Sequence, residues 1–246
     1  MLVAFASLHC SERDASHVPV GPETVETAAA PTAATPAVAS DPAEGNGATS
    51  PAETVPSERP AIVFLGTSLT AGYGLPESEA FPALIQARVD DLGLDYRVVN
   101  AGVSGDTSAG GLRRLDWLLR LPIAVLVLEL GANDMLRGQA AEALEANLTA
   151  ILERTRAAHP GVRFVVAGMR AAPNLGRTYG EAFDAVYPRV AGRFDAVFVP
   201  FLLEDVAARP ELNQTDGIHP TAEGHALIAE RIWTALEPVL RERATP

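Results

Sequence analysis

Cysteine is almost absent from this chain of 246 residues: Cys10 stands alone, so no disulfide can form within it. Long apolar runs are missing too. None reaches the roughly 18 residues that a bilayer-spanning helix needs. Basic charge is scarce, with 19 Lys and Arg against 31 Asp and Glu and a net charge of −12. No basic patch with interleaved aromatics occurs, which excludes nucleic acid as a partner. No cluster of His, Cys, Asp or Glu has metal-ligand spacing, so no metal is expected. The Gly-rich turn at 66–74 is not followed by Lys-Ser/Thr, which excludes a phosphate-binding P-loop.

Large apolar side chains are nearly missing from residues 11–58, a stretch of Ala, Pro, Thr, Glu and Ser. Such a segment cannot bury enough surface to offset its ordering entropy, and it reads as a disordered linker. It also carries most of the charge. Through residue 58 there are eight acids against Arg13 alone, leaving only −5 on the domain at 59–246. That remainder is an ordinary solubility charge. Before the linker, residues 2–9 form a short, mostly apolar segment that ends at Cys10. This resembles the end of a bacterial lipoprotein signal, with a lipidated Cys as the mature N-terminus. The basic region that normally precedes the apolar stretch is missing, and a start further upstream would supply it. The expectation is export, to the periplasm or to the envelope through a lipid tether on Cys10. A cytoplasmic protein with an inert Cys10 is the alternative.

From residue 59 onward, short apolar runs alternate with longer amphipathic ones, the pattern of a parallel sheet covered by helices. Strands are expected at 61–65, 96–101, 123–130, 163–168 and 196–201. The third is apolar on both faces and should be central. The fifth contains Pro200 and should be an edge or end there. Helices are expected at 80–92, 108–121, 140–159, 178–194 and 221–241, with Pro160-Gly161 stopping the third. Leu112, Leu115, Leu118 and Leu119 share one face of the second. Of the remaining residues, His225 reads as lying on the exposed face of the last helix. Trp117 and Trp233 read as core or interface, and Arg177, Glu181, Arg189 and Arg193 as a solvated face.

Chemistry gathers where the strands end. Ser68 follows the first strand in Gly66-Thr67-Ser68-Leu69, and Gly105 follows the second in Gly102-Val103-Ser104-Gly105-Asp106. Asn133 follows the third in Gly131-Ala132-Asn133-Asp134. Asp216-Gly217-Ile218-His219-Pro220 follows the fifth. In an open α/β sheet, sites form outside the carboxyl ends of the strands. Ser, His and Asp are the parts of an activated hydroxyl: the His takes the Ser proton, and the Asp fixes its tautomer and stabilises the imidazolium. Asp216 lies close enough in sequence to reach Nδ1 of His219 from the same loop. Backbone N–H groups at Ser68 and Gly105 and the Asn133 amide are candidate oxyanion donors. Each residue also has a plainer reading: Ser68 as a helix cap, Asp216 as a turn residue, Gly105 as a left-handed turn, Asn133-Asp134 as a turn pair.

These blocks resemble those of the SGNH (GDSL) hydrolases, and over 59–246 the finer resemblance is to bacterial acyl-CoA thioesterase I, lysophospholipase L1 and arylesterase. Val103-Ser104-Gly105-Asp106-Thr107-Ser108, Asn133-Asp134-Met135-Leu136-Arg137-Gly138, Tyr179-Gly180-Glu181-Ala182-Phe183 and Pro200-Phe201-Leu202-Leu203-Glu204 carry the finer likeness. The resemblance implies a flavodoxin-like three-layer α/β/α fold with five parallel strands and no cofactor. It implies Ser68 as nucleophile, His219 as base, Asp216 as its orienting acid, and an oxyanion hole from Ser68, Gly105 and Asn133. The chain departs from the pattern at Thr67, where the family has its eponymous Asp. An α/β-hydrolase fits less well: its nucleophile elbow needs Gly two residues after the Ser, where this chain has Thr70.

The expected substrate is therefore a small-molecule acyl ester or thioester. Its pocket walls would come from loops near 135–140 and 171–178. A carbohydrate acetylesterase would use the same site with a different pocket, and a non-catalytic tethered binding domain would keep the fold without the reaction.

Overall fold

The computed structural model describes residues 59–244; the 1–10 segment with Cys10 and the 11–58 linker lie outside them. The five apolar runs form five strands: β1 (Ala61–Gly66), β2 (Arg97–Gly102), β3 (Ile123–Glu129), β4 (Arg163–Ala167) and β5 (Val197–Val199). All neighbours pair in parallel, in the order β2-β1-β3-β4-β5. β3 is central and buried along its whole length, as its two apolar faces require. β5 lies at an edge and is short, ending before Pro200, which has no N–H to donate.

The helices are α1 (Ser68–Ala71), α2 (Phe81–Asp91), α3 (Ser108–Leu118), α4 (Ala132–Leu136), α5 (Ala141–Ala158), α6 (Arg177–Asp184), α7 (Val186–Arg193) and α8 (Ala222–Ala244). α2 packs against α8, while α3, α5 and α7 pack in a row as the other layer. This is a three-layer α/β/α sandwich with the flavodoxin-like strand order. The chain runs from β1 to β2 on one side and returns to β3 on the other. Its topological switch point therefore lies between the carboxyl ends of β1 and β3, where ligands bind in such sheets.

Three local expectations need correction. The single helix expected at 178–194 is two, α6 and α7, parted at Ala185. Pro188 is the cause: it has no N–H for the carbonyl of Asp184, and its ring crowds that carbonyl. His225 is not on an exposed face. It is 1% exposed, and its Nδ1 accepts the N–H of Phe81 at 3.2 Å. Of the two readings for Trp117, core or interface, the core one falls, since it is 64% exposed, whereas Trp233 is buried with the Arg88 guanidinium over its ring. Leu115 and Leu118 of α3 are buried, with Leu112 and Leu119 packed half-buried beside them. Arg177, Arg189 and Arg193 make exposed ion pairs with Glu181, Glu145 and Glu153, as a solvated face should.

Candidate active site

β1 delivers the chain to a tight turn at its carboxyl end. Thr67 caps α1, its hydroxyl accepting the N–H of Leu69 at 3.3 Å, and Gly72 closes that helix with φ +71°. Ser68 is thus the first residue of a one-turn helix, where backbone N–H groups have no intrahelical acceptor. No acceptor among the described residues takes its N–H.

His219 comes from a clip between β5 and α8. Asn213 and Pro220 form an antiparallel bridge across it, Gln214 N–H donates to His219 O at 2.7 Å, and Gly217 turns the chain with φ +70°. Within the clip, Asp216 Oδ1 accepts the N–H groups of Ile218 and His219 at 2.9 and 3.0 Å, while Oδ2 lies 2.6 Å from His219 Nδ1. The backbone N–H of His219, then its ring, then the N–H of Ile218 hold the carboxyl down at about 2, so it stays ionised at any ordinary pH. His219 Nε2 lies 2.9 Å from Ser68 Oγ across 151 residues of sequence. Gln214 ties the clip to the turn beyond α1 by donating to Tyr73 O at 2.7 Å, and the Tyr73 ring lies 4.6 Å from the imidazole, centroid to centroid.

Asn133 sits in α4, just beyond β3. Gly131 makes the turn with φ +121°, and a Cβ there would fall 2.2 Å from the buried Tyr187 hydroxyl. Asn133 Nδ2 donates one N–H to Asp106 O at 2.9 Å, leaving its second N–H free to point elsewhere. Gly105 has φ +81°, and its carbonyl accepts from Arg137 at 2.9 Å. The loop after β2 is thus fastened to the loop after β3 at two points. Arg114 binds it to β1 as well, pairing with Asp106 at 2.6 Å and donating to Gly66 O at 2.9 Å. Asp134 is buried and accepts the N–H and hydroxyl of Ser108 at 2.8 and 2.5 Å, anchoring α4 to the start of α3.

Ser68, Asn133 and His219 line one cavity of about 350 Å³. Gly105 is outside its lining, so of the expected residues the cavity gathers three, with Asp216 behind His219. Met135, Leu136 and Ala172 form part of its wall, from the loops expected to do so. Met169 and the segment holding Phe201, Leu203 and Ala208 add further wall, which spacing alone did not reveal. Arg170 stands at this wall with its guanidinium 4.9 Å from the Phe201 ring. A larger open groove of about 620 Å³ beside β5 and α8 holds none of the Ser, His or Asn side chains. Among the described residues, no group of three His, Cys, Asp or Glu is placed to hold a metal ion.

Comparison with known proteins gives the family. The class is an acyl hydrolase: residues 64–227 match the GDSL-like Lipase/Acylhydrolase family, and the chain belongs to it. Among its relatives is Esterase TesA of Pseudomonas aeruginosa, 43% identical over 180 residues, 73% of this chain and 89% of that one. Thioesterase 1/protease 1/lysophospholipase L1 of Escherichia coli is 41% identical over 181 residues, 73% of this chain and 84% of that one. The crystal structure of TesA matches with a TM-score of 0.69, over 73% of this chain and 99% of that one. That of AlinE4, an SGNH-hydrolase family esterase, matches with a TM-score of 0.61 at 40% identity, over 77% of this chain and 98% of that one.

Proposed function

We propose that this protein hydrolyses carboxylic esters and thioesters of apolar acyl chains through a Ser68 acyl-enzyme. One observation carries the reading: the unbroken line from Ser68 Oγ through both ring nitrogens of His219 to Asp216, with contacts of 2.9 and 2.6 Å. In this reaction Ser68 Oγ attacks the carbonyl carbon while its proton passes to His219 Nε2. Asp216 holds the Nδ1–H tautomer and stabilises the imidazolium. The carbonyl oxygen becomes an oxyanion, received by the N–H groups of Ser68 and Gly105 and the second N–H of Asn133. His219 then gives its proton to the leaving alcohol or thiol. Water, deprotonated by the same nitrogen, attacks the acyl-enzyme and releases the acid.

The apolar walls favour an acyl chain over a sugar. Each methylene buried there contributes about 0.8 kcal/mol, so kcat/KM should rise up to about fourfold per added carbon until the cavity is full. A panel of p-nitrophenyl esters and acyl-CoAs of graded length reads this directly, and a flat profile would point to an acetylesterase. A fluorophosphonate should label Ser68, and Ser68→Ala should lose labelling and about 10³-fold or more in kcat with an unchanged melting temperature. Full turnover by the folded variant would sink the assignment.

The proposal extends to location. The apolar segment ending at Cys10 and the acidic, Pro-rich linker after it are the features of an exported protein tethered by a lipidated cysteine. Mass spectrometry of the native N-terminus tests this. Residues 1–10 retained with Cys10 unmodified would rule the tether out and leave the hydrolase reading intact.

A further inference from the structure

A carboxyl group lies buried beneath the nucleophile turn. Glu129, the last residue of β3, is 1% exposed. Its Oε2 accepts the N–H of Thr67 at 2.9 Å and the hydroxyl of Thr70 at 2.8 Å. The Thr67 hydroxyl donates to the carboxyl as well, 3.1 Å from both oxygens. These donors stand on either side of Ser68, which itself makes no bond to Glu129. The fit is close: a Cβ on Gly66 would fall 1.9 Å from Thr70 Oγ1 and 2.6 Å from Glu129 Oε2. Gly66 is therefore required for the carboxyl to reach the turn.

Among the described residues, no cation offsets the burial of this acid. Burial pushes its carboxyl above the ordinary range, and its partners are the neutral groups of Thr67 and Thr70. Burying an acid without a cation is costly, and Glu129 offsets part of that cost by satisfying three donors buried with it, the Thr67 N–H and the hydroxyls of Thr67 and Thr70. The turn, however, needs an external hold. α1 has four residues, too few to maintain a helix unaided. Its position determines whether Ser68 Oγ meets His219 Nε2 and whether the Ser68 N–H faces the cavity.

We propose that Glu129 is a positioning residue for the reaction, gripping the turn on both sides of Ser68 so that the serine hydroxyl and N–H stay in register with His219 and the cavity. The proposal rests on Ser68 being the nucleophile. Glutamine can reproduce the grip. Its carbonyl oxygen accepts the Thr67 N–H and the Thr70 hydroxyl. Its amide donates to Thr67 Oγ1, which keeps a lone pair for Leu69. Leucine fills the space and accepts nothing.

The test compares Glu129→Gln, Glu129→Leu and Thr70→Val in the full chain. It measures kcat and KM on p-nitrophenyl butyrate, melting temperature, and the rate of fluorophosphonate labelling. Glu129→Gln should stay within about threefold of wild type in kcat, since the Thr67 N–H and the Thr70 hydroxyl keep their acceptor on either side of Ser68. Glu129→Leu should lose about 10²-fold in kcat, as for a displacement of about 1 Å at a reacting atom, with KM within about twofold. Thr70→Val removes one of the contacts and should lose about five- to tenfold in kcat, with KM unchanged. A purely structural role would lower the melting temperature and leave kcat per folded molecule alone. Wild-type kcat in folded Glu129→Leu overturns the proposal. If that variant does not fold, wild-type kcat in Thr70→Val does so. Glu129→Gln as impaired as Glu129→Leu overturns it also. Wild-type enzyme that is not labelled at Ser68 would instead refute the nucleophile reading itself.

Discussion

His225 should make this protein lose stability on mild acidification, and replacing it by Asn should remove that loss. The imidazole is buried, stacks on the Phe81 ring with centroids 6.0 Å apart, and uses Nδ1 to accept the Phe81 N–H. A proton on Nδ1 would set two donors against each other. Desolvation, helped by the charge on His219, pushes the His225 pKa down from 6.5 to about 4. The unfolded chain binds this proton near pH 6.5, while the folded chain refuses it until about pH 4. The stability contributed by neutral His225 is therefore complete above pH 6.5 and is lost as the pH falls toward 4. Integrating over that window gives a loss of about 2 kcal/mol by pH 5 and about 3 kcal/mol by pH 4. Asn places an amide oxygen where Nδ1 sits and does not titrate. Urea unfolding at pH 7 and pH 5 should show wild type losing about 2 kcal/mol more than His225→Asn, with carboxylate effects common to both cancelling. Equal losses in the two proteins would refute the reasoning.

Two further substitutions probe the reaction. Asp216→Asn keeps an oxygen for the N–H groups of Ile218 and His219 but turns an amide donor toward Nδ1. The proton must then sit on Nε2, which can no longer accept from Ser68, and kcat should fall about 10⁴-fold with the fold intact by circular dichroism. Asn133→Ala should lower kcat by about 10²–10³-fold with a much smaller change in KM, as measured by steady-state kinetics, because only the developing oxyanion loses a donor. A raised KM with normal kcat would mark Asn133 as a ground-state contact instead.

Much of this architecture is set by local pattern. A run such as 123–128 is apolar on both faces, and only a central strand buries both. The helices over 80–92 and 140–159 follow from apolar residues that recur each turn. Asp216 and His219 sit three residues apart, so their contact is a property of one turn. Once the alternation of strands and helices is known, the rule of carboxyl-end sites brings Ser68, Gly105, Asn133 and His219 to one edge. Tertiary packing decided the rest. Which face of α8 is covered depends on α2 arriving beside it, and so His225 is buried although its neighbours in sequence do not require it. Glu129 looks like the polar end of an apolar strand. Its partners Thr67 and Thr70 are 62 and 59 residues distant, and no local signal links them. The cavity wall at 201–208 likewise depends on how the chain leaves an edge strand. Periodicity is written in neighbouring residues, so the sequence by itself determined the elements and their order. Burial and hydrogen-bond satisfaction belong to whichever surfaces meet, and only the folded chain determined those.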